Sequence, residues 1–312
     1  MQSTLTARTD QPVKSGRKFT LRQDLTGYIF LLPWLIGFVV FTLGPILASL
    51  YLSFTNYDLM TMPEWVGIFN YNRLLTRDAR FAQSMSVTFT FVVTSVPLQL
   101  IVALGIALVL NRGIRGLPWY RALFYLPSLL GGSVAIAILW RQVFGNDGLL
   151  NQILLIFGIE GQSWIGSPDT ALSTLIVLRV WQFGSPMVIF LAGLKQVPQS
   201  LYEAANIDGA NSVQQFFKIT LPLITPIFFF NLVLQMISAF QAFTPAYIIS
   251  DGTGAPADST LFYSLYIYIQ GFRYFRMGYA AAMAWIMLIV IVFFTILNFG
   301  LSRFWVFYGD ED

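Results

Sequence analysis

Six stretches of this chain run for about the 20 residues that a helix needs to cross hydrocarbon, with little or no charge inside them: Tyr28 to Phe54, Met85 to Leu110, Ala122 to Trp140, Thr170 to Leu194, Leu223 to Ser250 and Met277 to Ser302. In lipid every backbone N–H and C=O must find its partner within the protein, so a spanning segment is a helix or part of a closed barrel. Uninterrupted apolar runs of this length read as helices, which predicts an all-α integral membrane protein of six transmembrane helices. The 56% hydrophobic and 11% charged residues, with a mean hydropathy of +0.67, leave too little polar surface for a soluble domain. The first run far exceeds the h-region of a cleavable signal, roughly 7 to 15 residues, and is expected to stay in place.

The cationic side chains set an expected orientation. Placing the N-terminus in the cytoplasm puts Arg8, Lys14, Arg17, Lys18, Arg22, Arg112, Arg115, Arg121, Lys195, Lys218 and Arg303 inside, eleven residues. Six lie outside, Arg73, Arg77, Arg80, Arg141, Arg273 and Arg276, and Arg179 lies within a span. This bias predicts that both termini face the cytoplasm.

Several function classes fall away. There is no cysteine and no histidine, hence no disulfide framework, no Cys/His metal cluster and no imidazole or thiolate for acid–base or nucleophilic chemistry. No catalytic residue and no metal ligand is predicted. The 18 basic residues are scattered between apolar spans and form no patch that would track a nucleic acid. No phosphate-binding G-x-x-x-x-G-K-[ST] loop is present, so if ATP drives this protein another chain binds it.

The organisation expected is a mobile cytoplasmic tail over 1–27, lying on anionic lipid headgroups, a six-helix domain over 28–302, and a short cytoplasmic tail over 303–312. The outer loops carry Trp65, Trp164 and Arg273, which suit a water boundary or contact with another protein. The segment 195–222 is the long inner loop. Within it Pro198 suits a helix start, Gly209 a left-handed helix end, and Asn211 with Gln214 a capping pair for a second helix. Ala204, Ala205 and Ala210 keep the corner narrow, while Glu203 and Asp208 offer charges. Residue chemistry alone leaves open whether this is an ordinary surface hairpin or a docking knob.

In the fifth span Asn231, Gln235 and Ser238 fall within roughly 60° of one another on a helix, with Gln241 about 60° further round. Such a stripe can bind a polyol, with Phe240, Phe243 or Tyr247 stacking on its apolar face, or it can join packed helices. Pro226 and Pro245 are expected to bend or bound this span. Arg179 lies about ten positions into the fourth span. It is a candidate for lining the path to a substrate, including an anionic one, or for snorkelling or pairing with a partner subunit.

The stretch E-A-A-N-I-D-G-A at Glu203 to Ala210, followed by Phe216, Ile219, Leu221 and Pro222, resembles the EAA loop of ATP-binding-cassette importer permeases. Further likeness to the sugar-importer branch, related to maltose and glycerol-3-phosphate permeases, lies in L-L-P-W-L-I-G-F at Leu31 to Phe38 and L-S-F-T-N-Y-D at Leu52 to Asp58. It continues in F-Y-L-P at Phe124 to Pro127 and F-R-Y-F-R-M-G-Y-A at Phe272 to Ala280. The chain departs from that pattern at Arg179 and at G-T-G-A-P, Gly252 to Pro256. The resemblance implies a type I importer permease in a bacterial inner membrane, forming half of a carbohydrate pore. It also implies a second, different permease, two ATPase subunits holding ATP and Mg, and an extracytoplasmic solute-binding protein. Glu203, Ala204, Ala205, Asp208, Gly209 and Ala210 would then form the ATPase-coupling helix. The alternative, a self-contained secondary carrier or channel, meets no Asp, Glu or Lys within a span and no evident inverted repeat. An intramembrane enzyme meets no catalytic cluster.

Overall fold

The computed structural model describes residues 21–113 and 115–307. Residues 1–20 of the expected N-terminal tail and 308–312 of the C-terminal one lie outside the described residues. The chain divides into a unit ending at Ser49 and a larger one from Leu50 onward. The helical stretch Tyr28–Ser53 crosses that boundary. In it α1 (Leu21–Phe38) passes through a wide π turn, Val39–Leu43, into α2 (Gly44–Ser53). Helix therefore begins at Leu21, inside the region expected to be tail. The Gly44 N–H reaches back to the Val39 carbonyl, one residue further than in an α-helix, just before Pro45.

The larger unit opens with a two-stranded antiparallel ribbon, β1 (Thr55–Asn56) and β2 (Glu64–Trp65). Trp65 stacks on Phe54 there, ring centroids 5.5 Å apart. After α3 (Phe69–Arg77) comes α4 (Ala79–Leu110), the longest helix at 32 residues. Asp78 caps it, its carboxylate accepting from the Phe81 N–H at 3.1 Å and from the Tyr266 and Tyr279 hydroxyls at 2.7 and 2.5 Å. Val96, Leu100, Ala103, Ala107 and Leu110 recur at helical spacing and are all essentially buried, so one face of α4 is core. The two alanines let neighbouring backbones approach, as small residues do between membrane helices.

The third expected span is not one straight helix. α5 (Leu117–Leu130) and α6 (Val134–Val143) meet at 95° across Gly131, Gly132 and Ser133. Two successive glycines weaken the helix, and the Ser133 hydroxyl starts the next one by accepting from the Ile136 N–H at 3.3 Å. After α7 (Leu149–Ile156), the fourth span breaks as well, into α8 (Pro168–Trp181) and α9 (Gly184–Leu194). Both pack on α4.

The inner segment holds α10 (Gln199–Ile207) and α11 (Ser212–Gln215), followed by a wide π turn, Phe216–Thr220, and α12 (Leu221–Phe240). The wide turn ends where Pro222 would clash with the carbonyl of Lys218 in a regular helix. Pro226 does not bound the span, since α12 runs through it. The Thr225 hydroxyl donates to the Pro222 carbonyl at 2.6 Å, replacing the bond that Pro226 has no N–H to make. Pro245 does bound an element, in the first turn of α13 (Thr244–Ile249). α14 (Tyr263–Tyr268) and α15 (Met277–Ser302) complete the chain. Among the described residues, five helical stretches are long and apolar enough to cross a membrane, six if the bent pair counts as one.

Gly184 marks a tight contact between helices. A Cβ there would lie 2.5 Å from the Phe124 carbonyl oxygen and 2.7 Å from Tyr125 Cα, both backbone atoms that cannot swing aside. Gly184→Ala is expected to destabilise the protein by about 1–3 kcal/mol, read as a lowered thermal unfolding midpoint of the purified protein, whereas Gly300→Ala, with open space around it, should change little.

Candidate functional site

Two places gather the residues singled out above. They lie at opposite ends of α12.

At its start is the elbow of α10 and α11. Pro198 precedes α10 rather than occupying its first turn. Gly209 has φ +77°, a conformation that a side chain disfavours. It donates to the Asn206 carbonyl at 3.1 Å, and Ala210 donates to the Ala205 carbonyl at 2.9 Å, which together close the helix as a Schellman motif. Asn211 and Gln214 then cap α11 reciprocally, each side-chain oxygen accepting from the other's backbone N–H at 2.9 Å. The Gln215 amide ties the two helices by donating to Asn206 Oδ1 at 2.7 Å and the Ala210 carbonyl at 3.1 Å. The elbow is therefore stiff despite its glycine. Glu203, Ala204, Asp208 and Gly209 are exposed, and Ala205 and Ala210 are half-buried. Ile207, Val213 and Phe217 are also exposed, Ile207 by 88%. A surface of protruding apolar side chains around two acids suits a protein partner.

At the far end of α12 is a cavity of ≈ 400 Å³ bordered by Arg179, Gln182, Ser238, Gln241 and Phe243, with Leu and Ile side chains behind them. Three helix breaks face it, at Gly131–Ser133, at Gln182 and Phe183, and at Gln241–Phe243. Each frees carbonyls that need donors. The Gln182 Nε2 donates to the Gly131 carbonyl at 2.9 Å. The Gln182 carbonyl accepts from Gln99 Nε2 at 2.8 Å and from the Ser128 hydroxyl at 2.9 Å.

The polar stripe of the fifth span is divided by this arrangement. Ser238 and Gln241 stand on the cavity. Gln235 instead holds Arg179, whose Nη2 donates to Gln235 Oε1 at 2.9 Å and to its backbone carbonyl at 3.2 Å. Asn231 is fully buried among the helices and off the cavity. Phe240 is likewise core, 1% exposed and stacked on Phe294, so it presents no face to a ligand, whereas Phe243 does. Arg179 points across to α12 rather than snorkelling along its own helix, and among the described residues no carboxylate pairs with it. Its Nε is buried without an acceptor.

Gln182 was not among the residues picked from the sequence. Its spacing of three from Arg179 places both on one helix face, a signal that was there to be read. Its role at the Gly131 break depends on a contact 51 residues away and was not.

A model of the family described as "Binding-protein-dependent transport system inner membrane component" matches residues 74–305. The probable ABC transporter permease protein YesP of Bacillus subtilis is 56% identical over 295 residues, covering 94% of this chain and 96% of that one. The lactose transport system permease protein LacF of Rhizobium radiobacter is 35% identical, over 90% and 95%. The arabinooligosaccharides transport system permease protein AraP of Bacillus subtilis is 34% identical, over 94% and 96%. Among solved structures, a bacterial alginate ABC transporter in complex with an alginate pentasaccharide-bound periplasmic protein superposes with a TM-score of 0.78 at 22% identity, over 90% of this chain and 95% of that one. The likeness in fold is therefore close.

The Arg179 to Gln235 contact yields a check. Gln235→Leu removes the Oε1 acceptor and should cost about 1–3 kcal/mol. The double change Gln235→Leu with Arg179→Met should cost less than the sum of the two single changes, because the stranded charge goes too. Thermal unfolding of the four proteins measures this, and additive effects would mean that the two side chains do not interact.

Proposed function

Because the chain belongs to the family of binding-protein-dependent transport system inner membrane components, we propose that it forms half of the membrane pore of an ATP-binding-cassette importer and carries a carbohydrate into a bacterial cell by alternating access. The family match over most of the chain carries this reading. The lactose and arabinooligosaccharide relatives and the polar, aromatic-edged cavity support the substrate class. The other half of the pore is a second, non-identical permease, and a solute-binding protein delivers cargo from outside. The protein lies in the inner membrane with both termini in the cytoplasm. It holds no cofactor; ATP and Mg sit on two ATPase subunits beneath it.

The mechanism follows from where the elbow and the cavity lie. Glu203, Ala204, Ala205, Asp208, Gly209 and Ala210 present a stiff corner that seats in the ATPase. Closure of the ATPase pair on ATP displaces that corner, and α12 carries the displacement along its length to Ser238 and Gln241. The broken helices beside the cavity supply the hinges. Gly209→Val forces a β-branched residue into the left-handed region, an unfavourable change of about 1–2 kcal/mol or more. It should reduce co-purification of the ATPase and lower ATP-driven uptake at least about tenfold, without loss of folded permease. A secondary carrier would not need the elbow, so uptake by this chain reconstituted without any ATPase is the result that overturns the reading.

One observation favours an acidic sugar. Arg179 borders the cavity with no carboxylate of the described chain beside it, and a cation in a dehydrated site is best satisfied by an anion. A uronate-containing saccharide supplies one. In vesicles bearing the whole transporter, Arg179→Gln should lower uptake of oligogalacturonate about tenfold more than uptake of the matching neutral galacto-oligosaccharide. Equal retention of both rejects a charge-selective role.

A further inference from the structure

Four aromatic rings form a continuous row from the cavity wall to the protein surface. Phe243 stands in the wall. Its ring stacks on Tyr247 with centroids 5.4 Å apart and lies 5.3 Å from Tyr268. Tyr247 meets Tyr268 edge-on at 5.4 Å, and Tyr268 stacks on Phe272 at 5.3 Å with the planes 25° apart. Phe272 is 62% exposed, and the other three are half-buried. The Phe91 and Phe262 pair, by contrast, is sealed in the core at 3% and 1% exposure. The row differs in starting at a cavity and ending in the open.

Its direction is defined by the packing of α15. The start of that helix lies beside the start of α4, through the Tyr279 hydroxyl on Asp78 at 2.5 Å. Beyond its other end, the Phe307 N–H donates to Thr225 near the start of α12 at 2.9 Å, next to the elbow. Phe272 precedes α15 by five residues, so the row leads away from the elbow, toward the face where a delivered solute would arrive.

The rings are held from behind. Gly252, at φ +70°, lies against Tyr247 so closely that a Cβ would come within 2.9 Å of the ring. The loop that contains it is pinned at both ends. Arg141 pairs with Asp251, its Nη2 donating to Oδ2 at 2.9 Å. Arg80 pairs with Asp258, its Nε donating to Oδ2 at 2.8 Å. Here the wide turn Ile269–Arg273, closed by the Tyr274 N–H on the Ile269 carbonyl at 3.0 Å, carries Phe272 over the Tyr268 ring.

We propose that Phe243, Tyr247, Tyr268 and Phe272 form a stacking track along which the rings of an oligosaccharide pass from the outer face into the cavity. This rests on the carbohydrate reading above. A sugar ring has an apolar face of C–H groups bordered by hydroxyls. Contact between that face and an aromatic ring is non-directional, so it holds the sugar without hydrogen bonds that must all break at each step. Binding along a track grows with the number of sugar units that touch it.

The test uses the whole transporter with its binding protein in vesicles containing ATP, offered size ladders of one to six sugar units from partial acid hydrolysis of starch and of pectin. Internalised species are measured by mass spectrometry. Phe272→Ala and Tyr268→Ala should each raise the half-saturating concentration for the longest species about fivefold or more, leave the shortest species taken up nearly unchanged, and keep the maximal rate. Phe272→Trp should restore the long species and Phe272→Leu should not. An equal effect at every length, rescue by Leu, or loss of the variant from the purified complex assigns the ring to packing and overturns the track. Uptake in the variants unchanged at all lengths does the same. If the unaltered transporter internalises neither ladder, the carbohydrate reading itself fails, and the track with it.

Discussion

A carbonyl inside a membrane has no water to turn to, and this chain leaves several of them free on purpose-built breaks. At Gly131 the freed oxygen is taken by the Gln182 amide. At Gln182 it is taken by Gln99 and Ser128. At Ala242 it is taken by the Ser264 hydroxyl. With a donor to each, three interrupted helices can meet around an open volume, where unbroken helices would have packed it shut. The cavity exists because the breaks are satisfied, and Gln182 belongs to two of them.

The same logic explains why α12 can join the two sites. A helix containing Pro222 and Pro226 would ordinarily be a weak rod. The Thr225 hydroxyl takes up the unmatched Pro222 carbonyl, and the chain beyond α15 donates its Phe307 N–H to that hydroxyl in turn. The proline region is thus reinforced by side-chain bonds, and α12 reaches from the elbow to Ser238 and the cavity without a gap. On the proposed mechanism this continuity is what lets displacement at Gly209 be felt at the polar residues of the path. The aromatic row then continues the route outward on rings rather than on hydrogen-bonding groups.

Much of this was legible in the residues. Apolar runs read as spans because backbone pairing in lipid permits little else, and the elbow was legible because caps are local: Gly209, Asn211 and Gln214 act on groups within a few residues of themselves. The path was legible only in part. Periodicity put Asn231, Gln235, Ser238 and Gln241 on neighbouring faces, but those faces meet different surroundings. One of those faces meets core, another meets Arg179, and the last meets the cavity. Phe240 and Phe243 look alike in the sequence, and one is sealed against Phe294 while the other edges the open volume.

Local chemistry, then, dictated that this chain is helical, membrane-embedded and capped into a stiff elbow at Gly209, since each of those outcomes depends on solvent or on atoms close along the backbone. It did not dictate the 95° turn of α5 into α6, the partners of Gln182, the bond from Arg179 to Gln235 or the row from Phe243 to Phe272. Those arise from residues tens of positions apart whose meeting depends on how the helices pack, and interhelical packing is a property of all the surfaces together rather than of any one segment.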